Sequence, residues 1–406
     1  MGGGAAGLFA ALFALREGAE TTVFERNEKP GKKIYITGKG RGNLTNTADP
    51  EAFLGSVVRN PRFFYSAFNF LDNEAVINLF ESLGMPTKIE RGGRVFPVSD
   101  HASDITRALE KEIRRLGGTI KLNQKVSCIC AEADRITGLK TEDGMFYPSD
   151  AVILATGGLS YPSTGSTGDG YRFARELGHT VTDTRPSLVA LDTEESWPGD
   201  LRGLTLKNVA LCWQNGKKHG YREQGEMLFT HTGISGPLVL TLSAMLPDCP
   251  KGEKLSIDLK PALDEKTLDD RIQRDFVVSR NRQVLTVAEG LMPRALAAQA
   301  IRVAAIPPAL PVHSVTQQQR AQLVRTVKQL PLTVRCFRGF DEAVITRGGV
   351  SVREVVPGSM ESKLVNGLYF AGEVLDLDAL TGGYNLQIAF STGALAGFSA
   401  ANSGNA

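Results

Sequence analysis

Hydrophobic positions follow one pattern near the two ends of the chain and another in its middle. Near the ends, apolar runs lead into glycine-rich turns and helices, as is typical of parallel α/β folds. This pattern predicts an apolar helix at residues 8–15 and a strand at residues 20–26. Residues 150–156 and 367–373 are apolar runs that reach glycine, which predicts two buried strands of the same sheet.

The middle of the chain has short β-like runs separated by turn residues, at 187–191, 206–213, 227–229 and 254–259. Helical patterns follow at residues 266–306 and 316–330, and a proline-rich stretch separates them. An amphipathic helix at residues 101–116 and a strand at residues 119–126 are predicted before this region. The fold is therefore predicted to be α/β, with a Rossmann-like domain, an inserted β-rich, barrel-like domain and a small helical domain.

The chain opens with Gly-Gly-Gly-Ala-Ala-Gly at residues 2–7, which matches the GxGxxG dinucleotide fingerprint. In this motif Gly2 permits a tight turn, Gly4 lets the backbone approach a pyrophosphate, and Gly7 lets the helix pack on the sheet. Such a loop alone is weak evidence, because glycine clusters are common. Glu25, however, ends the next strand, near the spacing of about 20 residues expected of the acid that binds ribose hydroxyls. Together these features predict a dinucleotide site.

Only Met1 precedes this loop, although the fingerprint normally follows a buried strand. We expect a translation start upstream of Met1. The alternative is a truncation, which would remove a central strand and destabilise the domain. An in-frame stop codon directly upstream, with no apolar codons, would contradict the upstream start.

A basic, glycine-rich stretch at residues 31–46 follows the ribose acid. Lys33 and Arg41 are expected to meet phosphate charge, and Asn43 to meet the edge of a flavin. A plain surface loop is the alternative interpretation. Gly157 forms the glycine turn after the strand predicted at residues 150–156.

The second half of the predicted cofactor site lies near the other end of the chain. There a strand runs into Gly372 and Glu373, and the acid is expected to hold ribityl hydroxyls. A helix is expected to begin near Tyr384, where its free N–H groups would stabilise negative charge at the N1–C2=O edge of reduced flavin. The two halves together predict FAD. No second nucleotide fingerprint is evident, so NAD(P)H is expected at most as a transient electron donor.

The predicted domains are an FAD-binding domain at residues 1–188 and 345–406, a β-rich substrate domain at 189–262 and 331–344, and a helical insertion at 263–330. The chain has 406 residues, of which 42% are hydrophobic and 22% charged, with a net charge of +2, as expected for a globular protein. Its five cysteines lack metal-binding spacing, so we expect no metal site and free thiols in a cytoplasmic protein. Neither a signal peptide nor a membrane span of about 20 apolar residues is recognised.

Charge is unevenly distributed along the chain. Between Arg271 and Arg338, ten Arg and one Lys stand against Asp275 and Glu289, a net charge of +9. A solvated basic helical face is one interpretation, and a surface that faces an anion such as RNA is the other.

The chain resembles the BaiN/RdsA-like family of NAD(P)/FAD-dependent flavoproteins. The resemblance is carried by residues 2–7, 31–46, 155–162 (Ala-Thr-Gly-Gly-Leu-Ser-Tyr-Pro), 228–237 (Leu-Phe-Thr-His-Thr-Gly-Ile-Ser-Gly-Pro), 360–363 (Met-Glu-Ser-Lys) and 367–387. It implies an FAD domain built from both chain ends, with FAD contacts at Ala6, Glu25, Lys32, Arg41, Asn43, Val126, Glu373, Asn385 and Leu386. Gly42 departs from the family pattern, because members commonly have Cys there, so a role of that thiol cannot operate here.

The resemblance also implies a reaction, the reduction of a C=C bond conjugated to a carbonyl. The substrate would be a bile-acid-type 3-oxo-Δ4/Δ6 steroid or a ribosomal RNA uridine, and the similarity of residues 22–33 favours the bile-acid-linked branch. Flavin N5 would deliver hydride to the β-carbon, while protein groups polarise the carbonyl and protonate the α-carbon.

His231, Tyr384 and Tyr161 are the candidate catalytic residues. The alternatives are a His231 that is hydrogen-bonded to the backbone and a Tyr384 that covers the flavin without a proton role. A small-molecule substrate is favoured over RNA bound through residues 271–338. An amine or aminoketone oxidase and a protein that holds FAD as a structural or sensing ligand are further alternatives. The sequence does not indicate an oligomeric state.

Overall fold

A computed structural model describes residues 1–216 and 218–403 of the chain. The strands are β1 (Thr22–Phe24), β2 (Thr45–Asn46), β3 (Val57–Arg59), β4 (Thr87–Glu90), β5 (Arg94–Pro97), β6 (Thr119–Lys121), β7 (Val126–Glu132), β8 (Arg135–Thr141), β9 (Phe146–Pro148), β10 (Val152–Leu154), β11 (Arg185–Ser187), β12 (Leu191–Thr193), β13 (Thr205–Asn215), β14 (Lys218–Phe229), β15 (Gly233–Ser235), β16 (Lys254–Asp258), β17 (Leu330–Phe337), β18 (Ile345–Arg347), β19 (Leu368–Phe370) and β20 (Asp378–Ala379). The helices are α1 (Ala5–Arg16), α2 (Pro50–Gly55), α3 (Pro61–Phe70), α4 (Asn73–Ser82), α5 (Ser103–Arg115), α6 (Asp169–Glu176), α7 (Pro237–Met245), α8 (Glu265–Val278), α9 (Val284–Ala288), α10 (Arg294–Val303), α11 (Gln317–Lys328) and α12 (Tyr384–Asn402).

The chain forms two compact units. Unit 1 consists of Met1–Ser187 and Gly339–Ala406, and unit 2 is Leu188–Arg338. None of the helices within the described residues is both long and apolar enough to cross a membrane.

Unit 1 contains two parallel strand pairs, β1 with β6 and β10 with β19. The first two residues of the chain lie between these pairs. The Met1 amine donates to the carbonyl of Ile153 at 2.8 Å, and the amide of Gly2 donates to the carbonyl of Phe24 at 2.9 Å. Backbone hydrogen bonds from residues 1 and 2 therefore reach one strand of each pair.

Helices α1 and α12, from the two ends of the chain, pack closely in unit 1. The rings of Phe9 and Phe390 stack with centroids 4.2 Å apart. A Cβ at Gly393 would lie 2.3 Å from the carbonyl oxygen of Ala6, so a larger residue would push the helices apart. The small and aromatic residues of these helices thus join the chain ends in one core.

Unit 2 is a closed antiparallel barrel with strand order β12-β15-β14-β13-β16-β17, accompanied by α7–α11. Closure pairs every strand on both sides and leaves no free sheet edge. Asp264 caps α8 by accepting from the amide of Thr267 at 2.6 Å, and Thr316 with Gln319 forms a capping box at α11. The predicted α/β fold with an inserted barrel and helices is confirmed. The boundary between a β-rich domain and a helical insertion stays a prediction.

Two predicted elements are divided in the structure. The strand expected at residues 119–126 is β6 followed by β7, because Asn123 between them adopts a left-handed φ of 54°. The helical stretch expected at residues 266–306 is α8, α9 and α10, and Pro293 directly precedes the last of them. Proline lacks the N–H that a continuing helix would need.

Candidate functional site

A large cavity lies within unit 1. It encloses about 1340 Å³ of space between atoms, with the open solvent at its mouth included. Eleven residues predicted to bind the cofactor line it: Gly2, Gly4, Ala6, Glu25, Lys32, Lys33, Val126, Gly157, Glu373, Asn385 and Leu386. The fold therefore brings together segments from both ends of the chain, as the sequence predicted.

The glycine loop needs glycine at two positions for close packing. Gly2 has φ of 90°, and a Cβ there would lie 2.5 Å from the carbonyl oxygen of Ala155. A Cβ at Gly7 would lie 1.8 Å from the carbonyl oxygen of Gly2. Gly4, by contrast, lines the cavity and has no atom within 4 Å of the place that a Cβ would take, so its backbone is open to a ligand. The loop thus packs tightly on the sheet and presents the start of α1 to the cavity.

Glu25 directly follows β1 and is only 7% exposed. One carboxylate oxygen accepts from the amide of Gly3 at 2.7 Å. The other accepts from the backbone and side-chain nitrogens of Asn27 at 2.8 and 2.7 Å. These donors hold the carboxylate in one orientation, and its remaining lone pairs suit the hydroxyl donors of a ribose.

A second polar cluster, which includes the cavity-wall residues Lys33 and Glu373, joins four segments of the chain. Lys33 Nζ lies 2.5 Å from Ser160 Oγ and 2.6 Å from Glu373 Oε2. Ser160 Oγ donates to the other oxygen of Glu373 at 2.6 Å, and the amide of Thr346 donates to the same oxygen at 2.8 Å. Lys33 is therefore already paired with an acid. Lys32 pairs with Glu28 at 2.8 Å.

Helix α12 begins at the cavity. Its first backbone bond runs from the amide of Gln387 to the carbonyl of Gly383, so the amides of Asn385 and Leu386 precede the helical ladder. The side chain of Asn385 is occupied, because it accepts from the amide of Ala379 at 3.0 Å and donates to its carbonyl at 2.9 Å. This residue can therefore serve a ligand through its amide, at the positive end of the helix dipole.

Two buried polar atoms on the cavity wall lack partners among the described residues. They are Thr156 Oγ1 and Gln124 Oε1. Buried polar atoms are normally hydrogen-bonded, so these two indicate a polar ligand in the cavity. Together with the glycine loop, Glu25 and the start of α12, they fit FAD. Thr156 follows β10 directly and could have been found from the strand-end pattern, whereas nothing local in the sequence marks Gln124.

Four predicted cofactor residues do not line the cavity. Gly7 and Gly372 lie behind it, where a Cβ at Gly372 would lie 2.7 Å from Ala6 Cβ. Arg41 stacks on an aromatic ring and pairs with Glu90 and, at 2.7 Å, with Asp100. Phosphate binding by Arg41 stays a prediction and would require new partners for these acids.

Asn43 follows Gly42, the position at which the chain departs from the family pattern. Asn43 Oδ1 is buried and has no hydrogen-bond partner within the described residues. Gly42 has φ of 75°, and a Cβ there would lie 2.6 Å from Ile105 Cδ1 and 3.0 Å from Ala102 Cα. The backbone and its neighbours are therefore shaped for glycine at this position.

The three predicted catalytic residues do not line the cavity. Tyr384 is half-buried, and its ring meets that of Phe53 edge-on with centroids 4.8 Å apart. Tyr161 is half-buried in a left-handed conformation with φ of 52°. His231 belongs to unit 2, is exposed, and has no hydrogen bond from its ring within the described part of the chain. Their catalytic roles stay predictions.

The family model "HI0933-like protein Rossmann domain" matches residues 1–399. The chain belongs to the HI0933-like family. A 3-dehydro-bile acid Δ4,6-reductase of Clostridium scindens is 34% identical, over 99% of this chain and 98% of that protein. A ribosomal RNA dihydrouridine synthase of Escherichia coli is 31% identical, over 97% of this chain and 94% of that protein.

Among solved structures, the HI0933-like chain shares its fold with a 3-ketosteroid-Δ4-(5α)-dehydrogenase from Rhodococcus jostii. The TM-score is 0.53 at 17% identity, covering 98% of this chain and 95% of that chain. The predicted family is confirmed by the model match and by the relatives. The predictions of FAD as cofactor and of an oxidoreductase are confirmed with it.

Proposed function

We propose that the chain is an FAD-dependent reductase of a C=C bond conjugated to a carbonyl, and that its substrate is a 3-oxo-Δ4/Δ6 steroid of the bile-acid type. The observation that carries the proposal is the full-length similarity to a 3-dehydro-bile acid Δ4,6-reductase, at 34% identity. The cavity in unit 1 supports the proposal, because its polar groups suit a dinucleotide. A bound flavin would supply the hydride-transfer chemistry.

His231 is the candidate for polarising the steroid carbonyl. It lies on a short loop whose flanking residues are held on both sides. Arg338 donates to Thr232 Oγ1 at 2.8 Å and to Thr230 Oγ1 at 3.3 Å. The amide of Thr193 donates to the carbonyl of Thr232 at 3.0 Å. The loop is thus anchored while the histidine ring stays exposed, and a neutral or protonated imidazole can donate to a carbonyl oxygen.

The test uses the flavin as its own indicator. The FAD-loaded protein is reduced anaerobically, and a 3-oxo-Δ4 steroid, the matching saturated 3-oxo steroid or a uridine-containing RNA is added. We expect the flavin absorbance to return only with the enone, because only the enone accepts hydride at its β-carbon. Failure of every enone to reoxidise the flavin would contradict the proposal, and reoxidation by RNA alone would favour the alternative.

RNA is the second candidate substrate, favoured by the similarity to ribosomal RNA dihydrouridine synthases. In the structure, more than half of the basic side chains that would bind RNA pair with acids instead. Of the eleven cations counted between residues 271 and 338, six pair with acids: Arg271, Arg294, Arg320, Lys328, Arg335 and Arg338. Several of those acids, such as Asp192 and Asp258, lie outside this segment, so the local net charge overstated the free charge.

Arg280 and Arg282 have no ion pair among the described residues and remain the cations to test. If RNA is bound there, changing both to Gln should reduce the slope of log affinity against log salt by about 1.4, or ~0.7 for each single-strand phosphate contact. Arg62→Gln, which removes an exposed cation of unit 1 that has no ion pair among the described residues, is the matched control and should leave the slope unchanged. An unchanged slope in the double variant would exclude this surface.

A further inference from the structure

Unit 1 contains a partly buried cluster of charged side chains near the cofactor cavity. Asp378 of β20 stands opposite Arg59 of β3, and Arg185 of β11 stands opposite Arg347 of β18. Asp376 completes the group and pairs with Arg59 Nε at 2.9 Å. Three arginines and two carboxylates thus meet where two short antiparallel strand pairs come together.

Asp378 differs from the other acid of this group. It is fully buried, and neither carboxylate oxygen has a hydrogen-bond partner within the described residues. Its neighbours in the chain connect it to the cofactor site, since Leu377 lines the cavity and Ala379 is held by the side chain of Asn385 at the start of α12. A carboxylate that served only to anchor the fold would be expected to carry hydrogen bonds.

The surroundings of Asp378 favour a change of protonation near neutral pH. Burial raises its pKa to about 6, the charge of Asp376 acts in the same direction, and Arg347, Arg59 and Arg185 oppose the rise. The ordinary pKa of an aspartate is about 3.9. Because no hydrogen bond from the described residues holds the Asp378 carboxyl in one protonation state, a nearby change of charge can shift its protonation.

We propose that Asp378 takes up a proton when the flavin is reduced and releases it when the substrate is reduced. A donor of the reduced nicotinamide class would supply a hydride to the bound FAD, and the Asp378 carboxylate would bind a second proton from solvent. When the bound flavin then passes the hydride to the β-carbon of the substrate, an acid would protonate the α-carbon, and the proton released by Asp378 would restore that acid. The proposal rests on FAD binding in the cavity and on no particular substrate.

The expected rise in the pKa of Asp378 on flavin reduction follows from electrostatics. A negative charge placed about 10 Å from a carboxylate, through an effective dielectric constant of about 20, raises the pKa of that carboxyl by about one unit. The pKa of Asp378 would rise from about 6 to about 7, so at pH 6.5 its protonated fraction would rise from about a quarter to about three quarters. Reduction should therefore take up about half a proton more near pH 6.5 than at pH 8.5, where Asp378 is ionised in both states.

The experiment measures proton uptake during electrochemical reduction of the FAD-loaded protein in weak buffer, without substrate. We expect the excess uptake near pH 6.5 in the wild type and its loss in Asp378→Asn, which keeps the shape of the side chain. Asp376→Asn removes a negative charge that raises the pKa of Asp378. The excess proton uptake should therefore keep its size and move to lower pH. An Asp378→Asn protein with the wild-type uptake curve would overturn the proposal.

A second readout covers the case in which Asp378→Asn does not fold. An uptake curve of Asp376→Asn that does not move along the pH axis, or a wild type without excess uptake, would then overturn the proposal. Because no steroid or RNA is present, these outcomes are independent of the acceptor experiment. A protein that fails the uptake test can still reduce an enone, and one that passes can still fail to do so.

Discussion

Gly42 offers the sharpest test of the local geometry, because the family resemblance places a cysteine there. Changing Gly42 to Cys puts a side chain on a backbone with φ of 75°, with its Cβ 2.6 Å from Ile105 Cδ1 and 3.0 Å from Ala102 Cα. A left-handed conformation costs a non-glycine residue about 1–2 kcal/mol, and overpacking costs about 1–3 kcal/mol more. We therefore expect Gly42→Cys to destabilise the protein by about 2–5 kcal/mol.

Gly18→Cys is the matched control, since Gly18 has φ of 86° and no atom within 4 Å of a Cβ position. It should show only the conformational cost of about 1–2 kcal/mol. The assay compares the urea midpoints of both variants in the same unfolding transition. Adding Ile105→Val to Gly42→Cys removes the atom in closest contact and should recover part of the loss. Equal midpoints for Gly42→Cys and Gly18→Cys would refute the steric argument.

Three further changes test the site and the core. Glu25→Gln should weaken FAD binding about 10- to 150-fold by calorimetry, because a charged acceptor for ribose hydroxyls is worth about 1.5–3 kcal/mol; an unchanged affinity would remove Glu25 from the site. His231→Ala should retain FAD yet lose most turnover, and wild-type rates of flavin reoxidation by the enone would contradict its role. Burial lowers the pKa of His179, against the opposing charge of Glu354, so stability is full above about pH 6.5 and falls as the unfolded chain takes up a proton below it. The thermal midpoint should therefore drop more between about pH 7 and pH 5.5 in the wild type than in His179→Gln, and parallel drops would contradict this.

The parts of the site that short-range rules describe were predicted from the sequence. The glycine loop, Glu25 and the start of α12 each depend on a few consecutive residues, and all three lie at one cavity. Other parts of the wall were not predictable. Ile345 reaches the wall through the pairing of β18 with β11, and Leu377 directly precedes β20, which pairs with β3. No local pattern records which segments will pair.

The bonding partners of polar side chains could not be predicted from the local sequence either. Arg41 was assigned to phosphate from its basic, glycine-rich surroundings, yet its acidic partners Glu90 and Asp100 come from a hairpin and a loop much later in the chain. Asn385 was assigned to FAD, and the structure assigns its side chain to the backbone of Ala379. The residue type determines which groups a side chain can bind, whereas the fold determines which of those groups lie near it.

The packing of α1 against α12 has a consequence for synthesis of the protein. These helices come from the first and last parts of the chain, and the cavity needs residues from both. While the chain leaves the ribosome, the apolar face of α1 lacks this partner until residues 17–383 have been made. Unit 2 is a single continuous segment, and its last residue, Arg338, is made before α12 begins at Tyr384. The nascent protein thus acquires its barrel first and its capacity to hold a flavin last.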